Sequence, residues 1–220
     1  MSEYGRIDAP FWRDKPVAIV AGGPSLIGFD FERLRGHAHV IAVKGSIFDL
    51  PWADCGFGLD FIRFREWKQR LMDASMRVYW ALPTDRLKEA GPSGGSLTYL
   101  KRLDGEGISE DRSEIYTGGT SGYGALQIAI HKQARDVYLF GYDYNGEAAP
   151  AGQFRHNDQH YQRAREQNAA SWGEWATYFD RIVPELERRE IRVFNACPRS
   201  TIKCFRKMTI DDAVRAIQSG

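Results

Sequence analysis

The chain has 220 residues, enough for one globular domain with its own core and few enough that two would each be small. Thirty Lys and Arg face 29 Asp and Glu, a net charge of +1, so no whole-protein field draws the chain to nucleic acid. Its longest uninterrupted apolar run, Val17 to Ala21, falls far short of the roughly 20 residues of a membrane helix.

The polar start Ser2-Glu3-Tyr4-Gly5 has no charged-then-apolar signal pattern, so the expected location is the cytoplasm with no membrane contact. Cys55, Cys197 and Cys204 form no C-x-x-C pair and make an odd count. They read as reduced, buried thiols rather than a disulfide framework or a thiolate zinc site.

In chain order, Pro16 to Ala21 is a β-branched apolar run that ends abruptly in Gly22-Gly23-Pro24-Ser25, the pattern of a buried strand entering a tight loop. His39 to Val43 and Cys55 to Leu59 read as further strands. Arg63 to Ser75 aligns Phe64, Trp67 and Leu71 on one helical face. Arg77 to Leu82 is again a strand, and the interval from Thr84 to Tyr116, rich in Gly and Ser at Gly91-Pro92-Ser93-Gly94-Gly95, reads as a long functional connection.

Ser121 to Ala134 is the next helix, with Leu126, Ala129 and Ile130 aligned, and Asp136 to Phe140 the next strand. A second long connection follows, with a lid expected over residues 145–168. Ser171 to Arg188 carries an aromatic and aliphatic stripe from Trp172 to Leu186, with Pro184 expected to bend or split the helix. Ile191 to Phe194 is a strand, and Asp211 to Gln218 a terminal helix capped by Thr209. Strands alternating with helices predict an α/β class: a single Rossmann-like domain over residues 1–220, built on a doubly wound, mostly parallel sheet. Ligands of such sheets bind beyond the carboxyl ends of the strands, here the loops after Ala21, Val43, Leu59 and Phe140.

Several residues in those loops carry chemistry. Gly22 and Gly23 let backbone N–H groups approach a phosphate or ribose, although a plain turn with Ser25 as a helix cap explains the same residues. Tyr116-Thr117-Gly118-Gly119-Thr120-Ser121-Gly122 leads into a helix. Its hydroxyls and helix N-terminus suit an anion, and capping by Thr120 or Ser121 is the plainer explanation. Asp143 and Asp60 each follow a strand, where an acid orients a ribose or simply starts a turn. Arg155, His160, Tyr161 and their neighbours concentrate titratable groups in the expected lid. There a histidine can take a proton, and an arginine or a tyrosine such as Tyr144 can stabilise a departing phosphate. His156 and His160 are four apart with no third ligand nearby, so no metal site is expected.

The pieces Val17-Ala18-Ile19-Val20-Ala21-Gly22-Gly23-Pro24-Ser25-Leu26, Gly119-Thr120-Ser121-Gly122-Tyr123-Gly124 and Asp136-Val137-Tyr138-Leu139-Phe140-Gly141-Tyr142-Asp143-Tyr144 occur in this order. With the ending Arg192-Val193-Phe194-Asn195-Ala196-Cys197-Pro198-Arg199-Ser200, they resemble the bacterial lipooligosaccharide sialyltransferases and the related hydroxymethylpterin pyrophosphokinases. The whole chain also looks similar to proteins encoded by tailed phages and prophages.

The resemblance implies a cytidine or uridine nucleotide donor surrounded by Gly22, Gly23, Ser25, Thr120, Ser121, Gly122 and Asp143. Lys44 stands where that family carries a nucleotide-reading asparagine. His160 is then the substitute base, with Tyr161, Tyr144 or Arg155 at the leaving group. The function so implied is a glycosyltransferase-like transfer from a nucleotide-activated donor to an acceptor hydroxyl, with no tightly bound cofactor. A metal- and ATP-dependent pyrophosphokinase, using carboxylates such as Asp60 and Asp143, and a non-enzymatic phage accessory protein are the rival readings. Bacterial relatives of the fold commonly self-associate, so a homo-oligomer is an open expectation.

Overall fold

A computed structural model of the protein describes residues 3–145 and 171–220. Among the described residues nine strands form one sheet: β1 Val17–Val20, β2 His39–Val43, β3 Cys55–Gly58, β4 Arg77–Leu82, β5 Leu97–Leu103, β6 Glu114–Tyr116, β7 Asp136–Phe140, β8 Arg192–Asn195 and β9 Arg206–Lys207. The helices are α1 Ser46–Asp49, α2 Phe61–Met72, α3 Leu87–Ala90, α4 Ser121–His131, α5 over 171–178, α6 Val183–Arg188 and α7 Ile210–Ser219. The strand order is β6-β5-β4-β3-β2-β1-β7-β8-β9, and every neighbouring pair is parallel. This is the expected α/β, Rossmann-like arrangement.

Side chains alternate across the central strands because successive residues of a strand point to opposite faces. Val17, Ile19, Ile41, Phe57, Val137 and Leu139 pack under α4 and the aromatic Phe179 on one face. Ala18, Val20, Val40, Val78, Trp80 and Phe140 pack with Phe64 and Leu71 of α2 and Val214 and Ile217 of α7 on the other. Burial on both faces is why these strands read as continuous apolar runs.

The interval from Thr84 to Tyr116 is not the long functional connection its glycines and serines suggest. It contributes β5 and β6, which extend the sheet beyond β4. Gly91 to Gly95 is a turn between α3 and β5, held where Lys68 Nζ donates to the Ala90 carbonyl at 2.7 Å and Ser96 N–H to that of Met72 at 3.0 Å. Toward the sheet edge β5 is only partly buried, and that half-exposed, charged end masked the strand pattern.

The helix expected from Arg63 begins at Phe61, because Asp60 accepts the N–H groups of Ile62 and Arg63 at 3.0 and 3.2 Å. The helix expected to reach Ala134 ends at His131, where Gln133 turns to φ +59°. The stretch from Ser171 to Arg188 is split: α5 gives way to a 3-10 turn at Phe179–Ile182 before α6, whose second residue is Pro184. Proline clashes with the carbonyl four residues back, here that of Asp180, inside the turn.

Candidate functional site

The chain winds outward from β1 to β6 and then returns to the far side of β1 as β7. Past their first residues the loops leaving β1 and β7 part to opposite faces of the sheet, Leu26 to one and Tyr142 and Tyr144 to the other, and the crevice at such a switch point is where open α/β sheets take ligands.

Hydrogen bonds between its walls shape that crevice. Gly23 N–H donates to the Gly141 carbonyl at 3.1 Å. Ser25 donates its N–H to Asp143 Oδ1 at 3.1 Å and its hydroxyl to Oδ2 at 2.9 Å. A Cβ on residue 23 would overlap both the Asp143 carboxylate and the Gly141 carbonyl, so the glycine is required by this close approach of two loops. Gly22 and Ser25 remain partly exposed, and Asp143 is buried.

The loop after β8 completes the wall. The Cys197 thiol hydrogen-bonds with Ser25 and Asp143, and burial, then the Asp143 charge, push it up to about 12. It is a protonated donor at neutral pH, not a nucleophile. Sequence reasoning placed Cys197 only among buried thiols. Its position just beyond a strand's carboxyl end was the available signal.

The second glycine cluster meets the same edge. Thr120 caps α4 by accepting the Tyr123 N–H at 3.3 Å, and its hydroxyl lies 2.6 Å from that of Tyr144. Tyr142 donates its hydroxyl to the Gly122 carbonyl at 2.9 Å. The N–H groups of Ser121 and Gly122 meet no acceptor among the described residues, as the first turn of a helix leaves them. Gly119, at φ +72°, turns beneath the Trp175 indole, which a Cβ there would meet at 2.6 Å. The ring of Tyr144 stands edge-on to Trp172 and Phe179, with centroids 5.7 and 5.5 Å apart.

After β2, Lys44 points its ammonium to Asp60 Oδ2 at 3.4 Å. Burial works to raise the Asp60 pKa, but the Lys44 charge and the two α2 N–H bonds outweigh it and hold the carboxyl below its ordinary value. Lys44 has φ +54° and Tyr144 φ +50°. These two left-handed residues follow the strands on either side of β1, the kind of backbone strain that gathers at working sites. Among the described residues the other left-handed ones besides glycine, Gln133 and Glu190, lie just beyond α4 and α6.

The expected residues thus form three pairs at one edge, Ser25 with Asp143, Thr120 with Tyr144, and Lys44 with Asp60, with Gly22, Gly23, Ser121 and Gly122 in the connecting backbone. Asp60 also caps a helix, and Asp143 also clamps a loop. Arg155, His160 and Tyr161, and the lid assigned to 145–168, lie outside the described residues apart from Asn145. Among the described residues no group of three His, Cys, Asp or Glu is placed to hold a metal ion, and no helix is long and apolar enough to cross a membrane.

No protein-family model matches the chain, and no curated protein matches it. Among solved structures, a thiamine pyrophosphokinase from Bacillus subtilis is similar at 17% identity with a TM-score of 0.35, over 81% of this chain and 59% of that one. The sialyltransferase CstII from Campylobacter jejuni, in complex with a substrate analogue, cytidine-5'-monophosphate, is similar at 13% identity with a TM-score of 0.44, over 90% and 86%. These are likenesses of fold, and neither assigns an activity.

Proposed function

We propose that the protein is a nucleotide-binding transferase that moves a glycosyl group from a nucleotide-activated donor to an acceptor hydroxyl. The observation that carries this reading is that the glycine turn after β1, bonded to Asp143 after β7, and the N-terminus of α4, bonded to Tyr144, lie at one edge of the sheet, with the Lys44 ammonium after the neighbouring β2. Backbone N–H groups and one cation suit a phosphate-bearing ligand. The motif resemblance supplies the reaction class.

In the proposed reaction the acceptor oxygen bonds to the sugar carbon while that carbon's bond to the donor phosphate breaks. The nucleotide leaves with the bonding electron pair, and the acceptor proton passes to His160. Tyr144, Tyr161 or Arg155 stabilises the leaving phosphate. His160→Ala is expected to abolish turnover and spare nucleotide binding, and surviving turnover would remove His160 from the role of base.

A thermal-shift panel of nucleoside mono-, di- and triphosphates, with and without magnesium, tests the reading, since a ligand of the folded state raises its melting temperature. Stabilisation by a cytidine or uridine nucleotide without metal is the expected result. A response only to ATP with magnesium would replace the reading with the pyrophosphokinase one. No response to any nucleotide would favour the non-enzymatic one.

A further inference from the structure

At the opposite, amino edge of the sheet, Arg112 precedes β6 and His131 ends α4. An N-terminal strap crosses them: Ile7 N–H donates to the Arg112 carbonyl at 2.9 Å, and Trp12 N–H to the Lys132 carbonyl at 2.7 Å. The Phe11 ring lies against the Arg112 guanidinium, 5.4 Å from its carbon, and is itself 43% exposed.

Arg112 Nε and Nη2 are both shut from solvent and, among the described residues, have no hydrogen-bond partner. These atoms form one edge of the guanidinium, the fork that takes two oxygens at once. Arg192 shows the same edge filled, by Asp136 Oδ1 and Oδ2 at 2.5 and 2.7 Å. Nε2 of His131, a residue only 9% exposed, is also buried and unpartnered.

Four carboxylates of this edge, among the described residues, already hold other partners. Asp8 takes Lys132 Nζ at 2.8 Å and the Tyr79 hydroxyl. Asp111 takes the N–H and hydroxyl of Ser113, both at 2.9 Å. Glu110 pairs with Arg188 and Arg189, and Glu185 with the same two arginines. A buried charged donor left without an acceptor is costly, so the fork, with no acceptor among the described residues, is suited to an added one.

We propose that the Nε–Nη2 edge of Arg112, with the His131 imidazole beside it, is the receptor for an oxyanion, a carboxylate or phosphate group that enters past Phe11. The site is separate from the β1–β7 crevice and does not depend on its function. His131 fits the part as a neutral donor. Burial, then the charges of Arg189 and Arg112, hold it down to about 4 against the opposing pull of Glu110 and Asp111.

The test titrates inorganic phosphate and, separately, acetate into the full chain, with chloride at matched ionic strength as reference, and reads the melting temperature. A saturable rise is expected with at least one of the two anions, which identifies the preferred group. It should persist in Lys44→Gly and need at least tenfold more anion in Arg112→Met. No saturable rise with either anion, or an Arg112→Met response equal to wild type, would overturn the proposal.

Should Arg112→Met fail to fold, the His131 imidazole of the wild-type chain is titrated by NMR with and without the anions. A bound anion should raise its pKa by roughly one unit. Superimposable curves would overturn the proposal on their own.

Discussion

At the carboxyl edge the charged side chains are paired: Asp143 holds Ser25, Asp60 holds Lys44 and the first turn of α2, and Thr120 meets Tyr144, while the buried atoms left without partners there, Ser46 Oγ, Trp172 Nε1 and the Asn195 amide, are neutral. At the amino edge, carboxylates are equally engaged, yet Arg112 and His131 keep buried polar atoms without partners. At the first edge these pairs hold the glycine turn and the α4 cap to the β7 loop without a ligand. The second edge is where dissolved anions and pH are expected to act on stability. One sheet thus carries paired charged side chains at one end and an unpaired buried guanidinium at the other.

The largest effect expected from breaking this contrast comes from Gly23→Ala. Its methyl group overlaps two polar groups of the β7 loop, and a loss of about 3 kcal/mol is expected in urea unfolding. An unchanged midpoint would mean the two loops are not held so closely.

Acidification should act on the amino edge on a similar scale. Because the folded state holds His131 at about 4 against an ordinary 6.5, the unfolded chain binds the proton first as pH falls. The stability from neutral His131 is complete above about 6.5 and is lost progressively toward about 4, amounting to about 3 kcal/mol at the low end. Unfolding curves from pH 7 to 4 should show this slope, and His131→Asn should flatten it.

Thr120→Ala sharpens the comparison from the carboxyl side. It removes the α4 cap and a partner of Tyr144 at an expected cost of about 1 kcal/mol, read from the same unfolding curves. Lys44→Gly should change stability least, within about 1 kcal/mol, because glycine accepts φ +54° without strain and loses only an ion pair about two-fifths exposed. Its consequence belongs to binding instead, at least a tenfold loss of nucleotide affinity.

The central strands were legible because burial on both faces leaves them almost purely apolar, as in Val17 to Val20 and Val40 to Val43. β5 and β6 were not, since Lys101, Arg102 and Glu114 lie where the sheet runs out toward solvent. Ser25, Asp143, Thr120 and Tyr144 were each recognisable as residues able to meet a ligand. That they meet one another was not, because Ser25 and Asp143 are 118 positions apart and only the return of β7 to β1 joins them. Arg112 gave no signal, being a single arginine in a charged turn. Only the arrangement of its neighbours' carboxylates leaves it without an acceptor among the described residues.

The most direct test of the crevice as a nucleotide site is calorimetric titration of cytidine-5'-monophosphate into wild type and Lys44→Gly without metal. Saturable heat in the wild type and at least tenfold weaker binding in the variant are expected. No heat in either, or equal affinity in both, would contradict the assignment of the β1–β7 crevice and the Lys44 ammonium to the donor phosphate.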